Sequence, residues 1–127
     1  MIDYPQVQKW LDDYVSAWKT YDKAAIAALF SENAGYRYNP YDEPVQGRDA
    51  IVAAWLDHRD KPNTYSAEYH PLAVNGNTAV TNGQSIYYED DGKTVARKYD
   101  NIFVLKFDDE GRCEDFCEWF MQPRGQK

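Results

Sequence analysis

The stretch KYDNIFVLKFDDEGRCEDFCEWFMQ, residues 98–122, holds a carboxylate, Glu118, two residues from Phe116 and two from Phe120. In extended chain these three side chains share a face. A carboxylate between phenyl rings loses hydration, which raises its pKa toward the range where it can take and return a proton. On the opposite parity it would simply face solvent. Tyr14 offers a phenol, a donor to a developing oxyanion, or else an interior tyrosine bonded to another polar group. Asn82, Gln84 and Asn101 are carboxamides on a sheet face that helices should cover, where a polar ligand or ordered water would satisfy them. Trp55 reads as cavity wall or core. Tyr38 and Asn39, just before Pro40, sit where a strand opens into a loop, a common seat of function. His58 and His70 lack metal spacing, and Glu89-Asp90-Asp91 lacks the alternating oxygens of a calcium loop. No phosphate loop, nucleophile elbow or Cys-His signature occurs. Neither metal nor cofactor is expected.

These groups need elements to carry them. Val7, Trp10, Leu11, Tyr14, Val15, Trp18 and Tyr21 follow the rhythm of an amphipathic helix, with Asp3 as its cap and Pro5 in the first turn. A second, short helix is predicted from Asp22 to about Ser31-Glu32-Asn33, then a strand in GYRYNP and an irregular loop, YDEPVQG. A third helix is predicted over 48–60, with Ile51, Trp55 and His58 on one stripe. Beyond it the period changes to two. Turn signals at Asn75-Gly76, Asp91-Gly92 and Asp109-Glu110-Gly111 divide Tyr65–Met121 into four strands of an antiparallel meander. Helices first and sheet second is the α+β pattern.

Turn lengths imply register. A four-residue loop at Asp108–Gly111 sets Phe103 beside Phe116, Asn101 beside Glu118 and Tyr99 beside Phe120. A two-residue loop at Asp91-Gly92 sets Asn82 beside Asn101, Gln84 beside Tyr99 and Ile86 beside Arg97. A tight turn at Asn75-Gly76 brings Tyr69 to Asn82; a three-residue loop brings His70 there instead. One face then carries Asn82, Asn101 and Glu118 flanked by the rings of Tyr99, Phe103, Phe116 and Phe120, the expected ligand contacts. The other carries Gly83, Ser85, Asp100, Ile102, Val104, Cys117 and Trp119, apolar enough for a second subunit to cover. A single bulge would flip the affected strand.

A length of 127 residues suits one domain, 1–127, with an ordinary core. A net charge of -7 argues against nucleic acid and anionic membrane surfaces as partners. No apolar run approaches the roughly 20 residues of a membrane span. MIDYPQVQKW lacks the basic and apolar regions of a signal peptide, so a cytoplasmic protein is expected. Cys113 and Cys117 on a strand lie about 13 Å apart, too far to bridge.

The order helix–helix–strand–helix–four strands resembles the nuclear transport factor 2-like fold, and within it the SnoaL-like branch of polyketide cyclases and ketosteroid isomerase relatives. The segments that carry the likeness are YVSAWKTYDKAAIAALFSENA, YRYNPYDEPVQGRDAIVAAW and LKFDDEGRCEDFCEWFMQP. The resemblance implies a cone-shaped, curved mixed or antiparallel sheet, three helices over its concave face, a small-molecule ligand there, and a homodimer through the convex face at Ile102, Val104 and Trp119. It places Tyr14 on the oxyanion-donor tyrosine of the isomerases, Trp55 on a pocket aromatic, and Glu118 on an acidic residue of the cyclases. The isomerase base, an Asp before the strand-ending proline, is replaced by Tyr38-Asn39-Pro40, and its second Asp by Phe103. Steroid isomerase chemistry is therefore not implied. The Asp-Arg-Asp set of limonene epoxide hydrolases is not assembled either, with Arg97 its nearest trace. The expected activity is acid/base isomerisation, cyclisation, lysis or hydrolysis of a small cyclic carbonyl or polyketide-like compound by Glu118, with Tyr14 and Asn101 assisting. Non-catalytic ligand binding and an interaction role for the Trp119 face are the alternatives.

Overall fold

The computed structural model describes residues 1–126. Helix α1, Tyr4–Thr20, starts where expected: Asp3 accepts the Gln6 backbone N–H at 2.9 Å, and the Gln6 side chain accepts the Asp3 N–H at 2.9 Å. This reciprocal cap satisfies donors that a first helical turn leaves open. Val7, Trp10, Leu11, Tyr14 and Ala17 form its buried stripe. α2, Lys23–Ala28, is capped by Asp22 and is shorter than the periodicity predicts. The chain leaves it at Leu29 and enters β1, Phe30–Arg37, so Ser31, Glu32 and Asn33 are strand rather than helix end. Their intrinsic preference is weak; pairing with the last strand imposes the conformation. The loop YDEPVQG contains a two-residue strand, β2, Val45–Gln46. α3, Arg48–Asp57, stops three residues before Asp60, with Ile51, Val52 and Trp55 buried and His58 exposed.

Strands β3 (Tyr65–Asn75), β4 (Thr78–Tyr88), β5 (Val95–Phe107) and β6 (Cys113–Met121) form the expected antiparallel meander. β1 adds to it in parallel beside β6, giving a mixed, open six-stranded sheet ordered β2-β1-β6-β5-β4-β3. Helices close over its inner face: the ring of Tyr14 stacks on Phe116 at 5.6 Å and leans on Phe103 at 5.6 Å.

The register differs from expectation at three bulges. In β5–β6 the loop is one residue longer than expected, with Phe107 opposite Cys113, and a shift between Lys106 and Phe107 adds a second residue, so Asn101 comes opposite Phe120 and Phe103 opposite Glu118. A two-residue slip preserves which face each side chain takes. In β4–β5, Val95 opposes Tyr88 as a tight loop dictates, but Ala96 is extra and Arg97 opposes Tyr87. That single residue reverses the inference for β4. Gly83 and Ser85, expected outside, oppose Asn101 and Tyr99 on the inner face, and Asn82 and Gln84 turn outward. Asn82 donates there to Asp100 Oδ1 at 2.6 Å, and Gln84 is exposed. In β3, Leu72 is the extra residue: His70 opposes Asn82 on the outside while Tyr69, buried, crosses Gly83 on the inside. A Cβ on Gly83 would stand 2.6 Å from both Cα and ring Cδ1 of Tyr69, so only glycine admits this crossing.

Asp100, Ile102, Val104 and Trp119 lie on the outer face as expected, with Trp119 44% exposed. Cys113 and Cys117 are both free. Among the described residues no helix is long and apolar enough to cross a membrane.

Candidate functional site

A cavity of about 470 Å³ opens between α1, α3 and the inner sheet face, walled by Tyr14, Trp18, Tyr36, Trp55, Tyr69, Tyr87 and Glu118 among others. It continues into a second lobe of about 210 Å³ toward Arg97, Tyr99, Asn101 and Phe120. Tyr38, Ser85, Tyr87 and Glu118 belong to both lobes, so the carboxylate sits at their junction.

Three hydrogen-bonding groups in series fix that carboxylate. Ser85 Oγ donates to Asn101 Oδ1 at 2.8 Å, which turns the amide nitrogen of Asn101 toward Glu118, where it donates to Oε2 at 2.6 Å. Asn101 is 3% exposed, so its geometry does not fluctuate with solvent. Burial pushes the Glu118 carboxyl up to about 7, and the Asn101 bond pulls it partway back. The group therefore changes charge near neutrality, as proton transfer at that pH requires.

Tyr14 Oη and Tyr36 Oη lie 2.7 Å apart in the floor of the larger lobe. Burial holds both phenols protonated, well above their ordinary range. One hydroxyl donates to the other, so the pair retains a single O–H for a ligand oxygen. Tyr36 stacks on Phe116 at 4.2 Å and 1°, which fixes its ring. Trp55 meets the Tyr14 ring edge-on at 5.1 Å, its indole N–H buried without a hydrogen-bond partner. At the opposite end Asp60 accepts from Trp18 Nε1 at 3.0 Å and from Tyr21 Oη at 3.4 Å, tying the loop after α3 to the end of α1.

Glu118, Tyr14, Trp55, Tyr38, Tyr99, Asn101 and Phe120 thus converge on the two lobes. Five others do not join them. Phe103 and Phe116 are fully buried beneath the cavity as packing under the tyrosines rather than contacts. Asn39 spends its side chain on the Tyr41 backbone N–H at 2.9 Å, capping a turn. Asn82 and Gln84 lie on the far side of the sheet for the reason given above. Reading the chain missed Tyr36, Ser85 and Tyr87. Tyr36 and Tyr87 belong to a tyrosine-rich composition that does not say which rings face inward, and Ser85 depended on the bulge. Among the described residues no cluster of His, Cys, Asp or Glu forms a metal site.

A helix-capped, open mixed sheet of this order is the α+β cone fold of nuclear transport factor 2-like proteins. The chain belongs to the SnoaL-like domain family, whose model matches residues 11–115. Among solved structures it is similar to a nuclear transport factor 2-like protein of unknown function from Burkholderia xenovorans LB400, at 18% identity and a TM-score of 0.69, over 94% of this chain and 85% of that one. It is also similar to a candidate ketosteroid isomerase from Kribbella flavida, at 16% identity and a TM-score of 0.71, over 98% and 84%. A third is an M. tuberculosis epoxide hydrolase of the limonene-hydrolase-like type, at 12% identity and a TM-score of 0.68, over 93% and 84%. At these identities the likeness is one of fold. No curated protein sequence matches the chain.

Proposed function

We propose that this single domain catalyses proton transfer on a small cyclic carbonyl compound held in the aromatic cavity, without a cofactor. One observation carries the reading: a carboxyl group that titrates near 7 is pinned by Asn101 in the same cavity as a phenol pair with one free O–H. In this scheme the Glu118 carboxylate removes a proton from the carbon next to the carbonyl, and the C–H electron pair moves toward the carbonyl oxygen. The Tyr14–Tyr36 pair donates to the resulting enolate oxygen. The acid formed at Glu118 returns the proton to the same carbon, as exchange, or to a carbon conjugated with it, as isomerisation; where the enolate carbon instead attacks a second carbonyl and closes a ring, the proton goes to the alkoxide oxygen formed there. Asn101 positions the carboxylate, and Ser85 orients Asn101. Tyr38, Trp55, Tyr99 and Phe120 are ring contacts for the ligand.

Incubating cyclic ketones with the protein in D2O and following loss of the α-proton signal tests this directly. Exchange above the buffer rate, with the rate rising as pH passes through about 7, is the expected result. The aromatic lining would serve a non-catalytic binding protein equally well. Ketones that bind without exchanging would establish that reading and end the catalytic one.

The outer face supports a second element of the proposal, a homodimer. Trp119 is 44% exposed and Met121 73%, next to partly covered Ile102 and Val104. An apolar patch of this kind on a sheet face is normally covered. Trp119→Asp is expected to convert the dimer to monomer at micromolar concentration in sedimentation velocity. A wild-type protein that sediments as a monomer removes the assignment.

A further inference from the structure

The two lobes differ in charge character. His58 at the rim aside, Arg97 is the one cationic side chain lining either lobe among the described residues. It faces inward with Tyr99 and Asn101, two and four residues further along β5, and lies opposite Tyr87. Its guanidinium carbon lies 4.4 Å from the Tyr87 ring centroid, a stack that holds a long side chain along the wall of the smaller lobe. Acidic residues outnumber Lys and Arg by 21 to 14, yet none of the ion pairs among the described residues engages Arg97. Beside it along the lobe Tyr99 stands edge-on to Phe120 at 5.6 Å, a pair of rings. An arginine fork beside aromatic rings suits a planar anion that accepts two parallel hydrogen bonds.

We infer that the ligand is a cyclic compound bearing a carboxylate, with its ring in the larger lobe and its carboxylate seated against Arg97 in the smaller one. The inference rests on the proposed ring-binding role of the cavity and adds the acid group. Strand geometry sets the ligand's length. Arg97 and Asn101 share the inner face of β5, about 13 Å apart along the strand, and Asn101 marks the position of Glu118. That backbone spacing, less the reach of the Arg97 side chain, leaves room for a ring between the anion and the reacting carbon. Below about pH 7 Glu118 is protonated and does not repel the incoming carboxylate; above it the two anions oppose each other, so the acid's affinity falls as pH rises.

The probes are 2-naphthoate and 2-naphthamide, which share a ring system and differ in charge, titrated against the intact protein by tryptophan fluorescence and calorimetry. The acid is expected to bind roughly tenfold tighter than the amide at low salt, as a charge-assisted hydrogen bond allows. Arg97→Met should erase that preference, weakening the acid far more than the amide, and, since Arg97 is exposed, its loss spares the core. Arg97→Lys should keep part of it, having the charge without the fork. Equal affinity for acid and amide in the wild type, or equal weakening of both by Arg97→Met, overturns the anion assignment and leaves the ring cavity standing. Failure of both probes to bind at millimolar concentration overturns the two together.

Discussion

Glu118→Gln is expected to lower proton exchange by roughly 10²- to 10⁴-fold while making the folded protein more stable above neutrality. Both effects come from one fact, a carboxyl group raised from 4.5 to about 7 by burial. The unfolded chain ionises this group near its ordinary value, whereas the folded protein resists ionisation until about pH 7. Between those values the folded state binds the extra proton, so stability falls as pH rises. The contribution is whole below about 4.5 and gone above about 7, a difference of at most about 3 kcal/mol. Glutamine carries no charge to desolvate and offers Asn101 the same acceptor oxygen. The variant should therefore match wild type in urea denaturation at pH 4 and exceed it at pH 8. Parallel profiles at the two pH values would mean that Glu118 ionises freely and has no special role as a base. A variant that retains exchange would pass the chemistry to another group.

Gly83→Ala is expected to cost about 3 kcal/mol, a large effect for one methyl group. The new Cβ would meet the backbone carbonyl of Glu68 and stand 2.6 Å from Tyr69 Cα, contacts that rotamer changes cannot relieve. β3 would have to move away from β4, taking with it the Tyr69 ring that packs 4.7 Å from Phe103. A lower urea midpoint together with a changed near-ultraviolet tyrosine signal is the expected pair of observations. An unchanged midpoint would show that β3 yields at this edge of the sheet at little cost.

How far the chain could be read in advance depended on where the information lay. Asp3, Pro5 and the spacing from Val7 to Ala17 define α1 locally, and it formed as they dictate. Glu118 and Asn101 share the inner face because the parity of β5 and β6 survives a two-residue slip. Their neighbours on β4 were misread, since Ala96 bulges and nothing in VARKY marks which residue will be extra. A bulge is decided by how the sheet twists against its neighbours, a tertiary matter. Tyr36 falls in the strand that GYRYNP predicts, but which of its side chains faces inward depends on the pairing of β1 with a segment far along the chain. The chain's 11 tyrosines and 4 tryptophans suit a ring-lined cavity, but the phenol pair exists only because β1 and α1 meet there.

The strand that holds Glu118 lies between β1 and β5, although it is the last of the six to be made. On the ribosome, helices and β1 emerge early, and β1 then waits for its parallel partner while β3, β4 and β5 zip together. Until residues 113–121 arrive, β1 and β5 both present open edges to other chains. The same arrival completes the sheet and delivers the acid. A nascent chain therefore cannot present the Glu118 carboxylate on an unfinished sheet, and the edges of β1 and β5 stay open until β6 docks between them.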